Sequence, residues 1–380
     1  MNKAEYKQCI DCIIYLCSCA INGKEINSDR IKCVSLDDLY NSSANHMLAS
    51  IVGQVLQRNG YSYEPFNSAV AKNQRKLIIL DSEYQNIVSE FESAEIWYMP
   101  LKGGVLKDLY PCFAMREMAD YDILFDETRA NEVKSIMESL DFQVKSFGEK
   151  NDDDYFKLPV SNFELHRSLF GNTHDEFLFK YYKNVKDRLL KDENNRYGYH
   201  FRPEDFYVFM IAHEYKHYIA GGTGIRSLLD TYIYIKNYKL DMDYISKEVV
   251  KLKIDKFEEM NRSLALKLFD GIDLTNEEMN MYEYIIFSGV YGNFKNNIKH
   301  KVSQEGGKKA YISKRIFGPN DINDPYYSRY RKKYATFYKY PILLPFLPVY
   351  RLFCALTNNP KRLKSEVNAL NENKARKKDN

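Results

Sequence analysis

No window of this chain offers 18 uninterrupted apolar residues, so the sequence predicts no membrane-spanning helix. An apolar leader is missing too. The opening MNKAEYKQCIDC is too polar for a signal peptide, and a cytoplasmic protein is the expectation. Cysteine is sparse and unevenly placed. There are seven, an odd number, and Cys9, Cys12, Cys17, Cys19 and Cys33 crowd the first 33 residues, which is not a secreted disulfide framework. Cys9 and Cys12 have the C-x-x-C spacing of a metal or redox pair. With Ile13 and Leu16 they also follow helical spacing, and small apolar core positions are expected. No internal repeat is visible.

Charge is unevenly spread behind a net value of +3. Residues 325–380 carry 13 Lys or Arg against 3 Asp or Glu, whereas the preceding 324 residues carry 42 against 49. A mildly acidic body with a basic tail suggests an anionic partner for the tail, either nucleic acid or a membrane surface. The final NENKARKKDN has almost nothing to bury and reads equally well as a solvated, disordered end. Just before it lies YPILLPFLPVYRLFCAL (340–356), an apolar run interrupted by Pro341, Pro345 and Pro348 and carrying Arg351. Three prolines forbid a continuous helix through its first half. Cations on both sides, RYRKK (329–333) and KRLK (361–364), would suit peripheral docking on an anionic bilayer; a strap packed on the body is the alternative.

Periodicity divides the 380 residues into four regions. Residues 1–92 read as helical, with KQCIDCIIYLCSCAI, SANHMLASIVGQVLQR and NQRKLIILDSEYQNIVSEFESA each repeating apolar groups every three or four positions. An α/β block follows over 93–200. Its strands are EIWYMP, DYDILF (120–125), FQVKSF (142–147), YFKLPV (155–160) and NFELHRSL (162–169), with a helical TRANEVKSIMESL between the second and third. Residues 201–318 return to the helical period, and 319–380 form the basic, proline-interrupted tail.

The chemistry concentrates in MPLKGGVLKDLYPCFAMREMADYDILFD. On a strand, Asp120 and Asp122 project to one side, and two carboxylates so placed repel unless a cation lies between them; hard oxygen donors favour magnesium. Gly103 and Gly104 form a turn between a strand and a helix, where backbone N–H groups can close on phosphate oxygens, with Lys102 and Arg116 as nearby cations. Glu164 sits between Phe163 and Leu165, an apolar setting where a charged side chain needs a purpose, and His166 shares its face. Such a set suits phosphoryl or nucleotidyl transfer, with Glu164 helping to deprotonate an acceptor.

PLKGG, then R-x-x-x-D-Y-D-I-L-F, then ELHRS resembles the uncharacterised nucleotidyltransferase family of the polymerase-β-like superfamily. H-x-x-x-H…G-x-R-x-L-L-D (213–230) and the 340–356 tail extend the resemblance over about 93–356. The resemblance implies an α+β fold with a small mixed sheet and flanking helices. It also implies two Mg2+ ions (Mn2+ being possible) and transfer of a nucleoside monophosphate from an NTP, ATP first, to an unidentified acceptor. Gly103 and Gly104 match the family's turn, Asp120 and Asp122 its metal pair, and Glu164 its third acid, where Asp is commoner. A non-catalytic nucleotide-binding or interaction module remains the alternative.

A second motif competes. HEYKH (213–217) is a literal H-E-x-x-H on an expected helix that begins at Pro203, so His213 and His217 share a face that zinc could occupy with Glu214 as base. The extended peptidase motif fails, because Ala220 and Thr223 stand where glycine and a third histidine belong. Asp230 is the nearest downstream acid, and a capping or buried hydrogen-bonding role suits it equally. In a transferase, Lys216, His217 or Arg226 would instead meet the triphosphate or base.

Overall fold

The strand signals around the Asp-x-Asp pair converge on one five-stranded mixed sheet. The computed structural model describes residues 1–171, 176–289, 298, 301–302, 305–318, 327–358 and 360–375. Its main sheet has the order β1 (Tyr98–Pro100), β2 (Tyr121–Phe125), β5 (Ser161–His166), β4 (Asp152–Lys157), β3 (Gln143–Ser146). β2 runs parallel to β5, and the other neighbours pair antiparallel. Every residue of β2 is buried, as a central parallel strand requires. β4 begins at Asp152 rather than at the expected Tyr155, so three aspartates enter the sheet that the sequence reading left in a loop.

Strand alternation splits the sheet into an apolar face and a charged one. Tyr121, Ile123, Phe125, Phe163 and Leu165 pack against helix α5 (Glu64–Ser93) and helix α7 (Ala130–Ser139). Tyr121 stacks between Tyr84 and Phe163, with ring centroids 4.6 and 5.5 Å away. The opposite face carries Asp122, Glu164 and His166. Leu124 on that face joins the core built around helix α9 (Pro203–Ala220).

Four helices precede α5: α1 (Lys3–Ile21), α2 (Ser28–Lys32), α3 (Leu36–Asn45) and α4 (Ala49–Arg58). A capping box of Asn2 and Glu5 starts α1, and Cys9, Cys12, Cys17 and Cys19 are buried free thiols along it, the core role expected. The single helical signal SANHMLASIVGQVLQR breaks in two at His46–Leu48, where Met47 adopts φ 53°. His46 explains the break: its ring accepts the Ile225 N–H at 3.3 Å and bonds the Tyr6 hydroxyl at 2.9 Å, ties that a straight helix would not place there.

A one-turn α6 (Gly103–Leu106) lies between β1 and β2; after the sheet come α8 (Glu176–Tyr181), a two-strand ribbon β6 (Leu190–Lys191) and β7 (Tyr199–His200), and the helices α9 to α13. The last four are α10 (Ile225–Asn237), α11 (Met242–Lys251), α12 (Asp255–Asp270) and α13 (Asn276–Ser288). Ile13, Leu16 and Ile51 from the first helices pack in one core with Leu229, Leu264 and Ile285 from the last. The N-terminal and C-terminal helices therefore fold around each other. The tail continues as short helices, with a 3-10 segment Pro341–Phe346 leading into the helix Leu347–Asn358, which agrees with a proline-broken start. A helix Pro360–Ala375 covers the first part of NENKARKKDN, and its last five residues lie outside the described ones. Among the described residues, no helix is long and apolar enough to cross a membrane.

One buried ion pair fastens the loop before β2 to the helical lobe. Arg116 donates from Nε and Nη2 to both carboxylate oxygens of Asp230 on α10, at 2.8 and 2.9 Å, and the Tyr110 hydroxyl donates to the same residue at 2.8 Å. Both charged residues are buried. Asp230 thus has the buried hydrogen-bonding role. Removing one member strands the other's charge, so Asp230→Ala is expected to lose about 3–5 kcal/mol in denaturant unfolding. The double change Arg116→Met with Asp230→Leu should recover most of that loss.

Candidate active site

The glycine turn has a packing reason before any chemical one. β1 ends at Pro100, and Lys102 then takes φ 41°, a left-handed conformation that costs a lysine strain. A Cβ on Gly103 would meet Arg116 Nη1 at 2.6 Å, and one on Gly104 would meet the Tyr121 ring at 2.7 Å. Only glycine lets the turn lie this close to Arg116 and β2. The Gly104 N–H is already bonded to Leu101 O at 3.0 Å. What the turn delivers is the Lys102 side chain, whose Nζ donates to Asp122 Oδ1 at 2.7 Å.

Register then sets the acids in a row. Asp122 lies directly opposite Glu164 across the β2–β5 pair, and Asp154 lies opposite Glu164 on its other side, across β5–β4. His166, two residues along β5, places Nε2 2.7 Å from Asp122 Oδ1 and 3.8 Å from Glu164 Oε2. One donor atom each from Asp122, Glu164 and His166 falls within 4.8 Å of the others, and so does one each from Asp152, Asp154 and Glu164. Glu164 belongs to both groups. Asp120, just ahead of β2, lines the same cavity, half-buried.

Their proton affinities are driven apart. Burial works to raise the Asp122 carboxyl, yet the Lys102 ammonium and His166 outweigh it and hold Asp122 well below the usual carboxylate range. Glu164 is pushed up to about 8 by burial and by the charges of Asp122 and Asp120. Asp120 is raised by burial and by Asp122. The donor set is hard, oxygen-rich and short of positive charge. It therefore fits a divalent cation such as Mg2+ or Mn2+.

Across a cavity of about 410 Å³ from these acids stand Phe206, Phe209 and His213 of α9 and Arg226 of α10. Arg226 also bonds Glu117 O at 2.9 Å. Arg116 reaches the cavity, but two of its nitrogens are committed to Asp230. Gly104 and Lys216 are not part of the lining. Lys216 is nevertheless close in charge: burial and Lys102 lower it to about 8, while Asp152, Asp122 and Glu164 pull it back.

H-E-x-x-H does not assemble a peptidase centre. His213 and His217 do meet, Nε2 to Nε2 at 3.2 Å. Glu214, however, turns into the interior, accepts from Asn261 Nδ2 at 3.1 Å and is pushed up to about 7 by burial. Asp230 is held by Arg116 and Tyr110. Among the described residues, no cluster of three ligand side chains includes either histidine.

Three participants escaped the sequence reading. His166 was placed on the right face without a role, and Asp152 and Asp154 were left out because the strand was started too late. Their signal was DDDY, where alternation carries two acids to the face shared with Glu164 and turns Asp153 to the other, where Arg167 pairs with it at 2.8 Å.

Acids gathered from neighbouring strands of an α+β sheet, beside a cavity with cationic walls, are the layout of an enzyme rather than of a purely structural domain. Residues 32–270 match the family model described as "Uncharacterised nucleotidyltransferase", and the chain belongs to that family. No curated protein and no solved structure gives a match. The family is the one the motifs resembled, although the match begins earlier than the motifs suggested and stops short of the 340–356 tail.

Because Glu164 keeps its proton up to about pH 8, a cation must displace that proton to bind below this value. Mn2+ affinity is expected to rise with pH by up to tenfold per unit, then level off above about 8, with proton release measurable by calorimetry in buffers of different ionisation enthalpy. Glu164→Gln should flatten the profile. Without metal, the raised Glu164 favours the folded state at low pH and loses that contribution as pH rises through about 8, so the same variant should unfold later than the parent at pH 9.

Proposed function

We propose that the chain transfers a nucleoside monophosphate from an NTP, with ATP the first candidate, to an acceptor through a polymerase-β-like core. The observation that carries this reading is the Asp122–Glu164 pair, set opposite in register at the edge of a cavity that also holds Lys102 and Arg226. Asp122, Glu164 and Asp120 would hold the Mg2+ ions, with Mn2+ as a substitute. Such cations supply charge for the phosphate oxygens and lower the cost of bringing them to the acids.

The chain's own groups divide the remaining work. Lys102 presents an ammonium where the phosphates meet Asp122. Arg226 offers a second positive charge from the cavity wall, and Lys216 of α9, outside the lining, adds its charge through its interaction with Asp122 and Glu164. Glu164, once the cation has displaced its own proton, accepts the proton that the acceptor gives up. His166 orients Asp122 through the 2.7 Å bond. Arg116 acts by position: bonded to Asp230, it holds the Gly103 turn from behind.

The test is pyrophosphate release from each NTP with Mg2+, read together with label transfer into cell extract. Asp122→Ala is expected to lower turnover by about 10²-fold or more while leaving the fold intact. Nucleotide binding without any pyrophosphate release would favour the non-catalytic module. Neither binding nor release would sink both readings.

A further inference from the structure

The 3-10 segment Pro341–Phe346 and the helix Leu347–Asn358 turn apolar side chains outward. Ile342 lies in the 3-10 segment, and Phe346 at its end is followed along the helix by Val349, Phe353 and Leu356 at steps of three, four and three, which puts these four on one face. The five are, in order, 82%, 63%, 67%, 63% and 54% exposed. The opposite face is fixed to the protein: Leu347 is buried, and Arg351 donates to Ile316 O at 2.9 Å and to the Tyr330 hydroxyl at 2.8 Å. A continuous apolar stripe of this kind marks an interaction surface on a folded protein.

We propose that this face docks the chain on an anionic bilayer surface, lying in the plane of the headgroups. Charge selects the partner. The segment from Pro325 onward holds 13 Lys or Arg against 3 Asp or Glu, and Arg331, Lys333, Lys339 and Lys364 around the stripe are exposed. Anionic headgroups attract such a surface at about 1 kcal/mol per cation, whereas a second copy of the chain would bring the same positive charges together. Length selects the mode. The helical face from Phe346 to Leu356 runs about 15 Å at helical rise, too short for a hydrocarbon core of about 30 Å, so it lies along the surface. Tyr340 and Tyr350, both exposed, suit the headgroup level, where an aromatic ring with a polar tip is favoured.

The full chain is sedimented with vesicles of phosphatidylcholine alone and with an equimolar mixture of phosphatidylcholine and phosphatidylserine. The expected result is binding to the anionic vesicles, weakened at least tenfold by added salt. Phe346→Asp with Phe353→Asp should reduce it at least tenfold, and so should Lys333→Ala with Lys339→Ala and Lys364→Ala. An unchanged unfolding midpoint shows that each variant is still folded. Equal binding to both vesicle types, or none to either, overturns the proposal. So does a lipid-free dimer that the phenylalanine variant abolishes, or retention on single-stranded RNA without vesicle binding.

Discussion

Asp122 and Glu164 face each other across a parallel strand pair, and neither can withdraw. Their flanking residues Tyr121, Ile123, Phe163 and Leu165 are locked into the core beneath α5 and α7, so the register that buries those rings also fixes the acids on the other side. Two negative charges held this way need positive charge close by. The protein meets part of that need with the Lys102 ammonium on Asp122, adds the His166 hydrogen bond to the same carboxylate, and leaves Glu164 holding a proton. The strained Lys102 backbone, the close-packed glycines and the cationic far wall all follow from this placement.

Support for that arrangement comes from outside the sheet. Arg116 touches the Gly103 turn on one side and Asp230 of α10 on the other, so the turn that aims Lys102 is braced by the helical lobe. The same lobe supplies Arg226 and His213 to the cavity. Sheet and helices both contribute walls to the cavity.

Local signals carried much of this into the sequence. Alternation around Tyr121 revealed β2 and the shared side of Asp120 and Asp122. The apolar neighbours of Glu164 singled it out, and it does lie opposite Asp122; helical spacing identified the cysteines of α1 as core. What stayed hidden depends on long-range contacts. Nothing local shows that His46 reaches Ile225 and so breaks a helical run at Met47. The commitment of Arg116 to a residue 114 positions away is equally invisible, as is the inward turn of Glu214 toward Asn261. The late start given to β4 was a different failure, since three successive aspartates resemble a loop until their register with β5 is known.

The shared core of first and last helices separates two kinds of boundary. Similarity to the family begins at residue 32, beyond the end of α1, yet Ile10, Ile13 and Leu16 of α1 are fully buried against helices well inside the matched span. Each such side chain is worth about 1.5–3 kcal/mol of burial, against a net stability of about 5–15 kcal/mol for a typical domain. The stretch by which the family is recognised is therefore shorter than the stretch that must fold as one. A fragment trimmed to the recognised stretch would keep every acid of the site and expose the floor on which α10 and α12 rest.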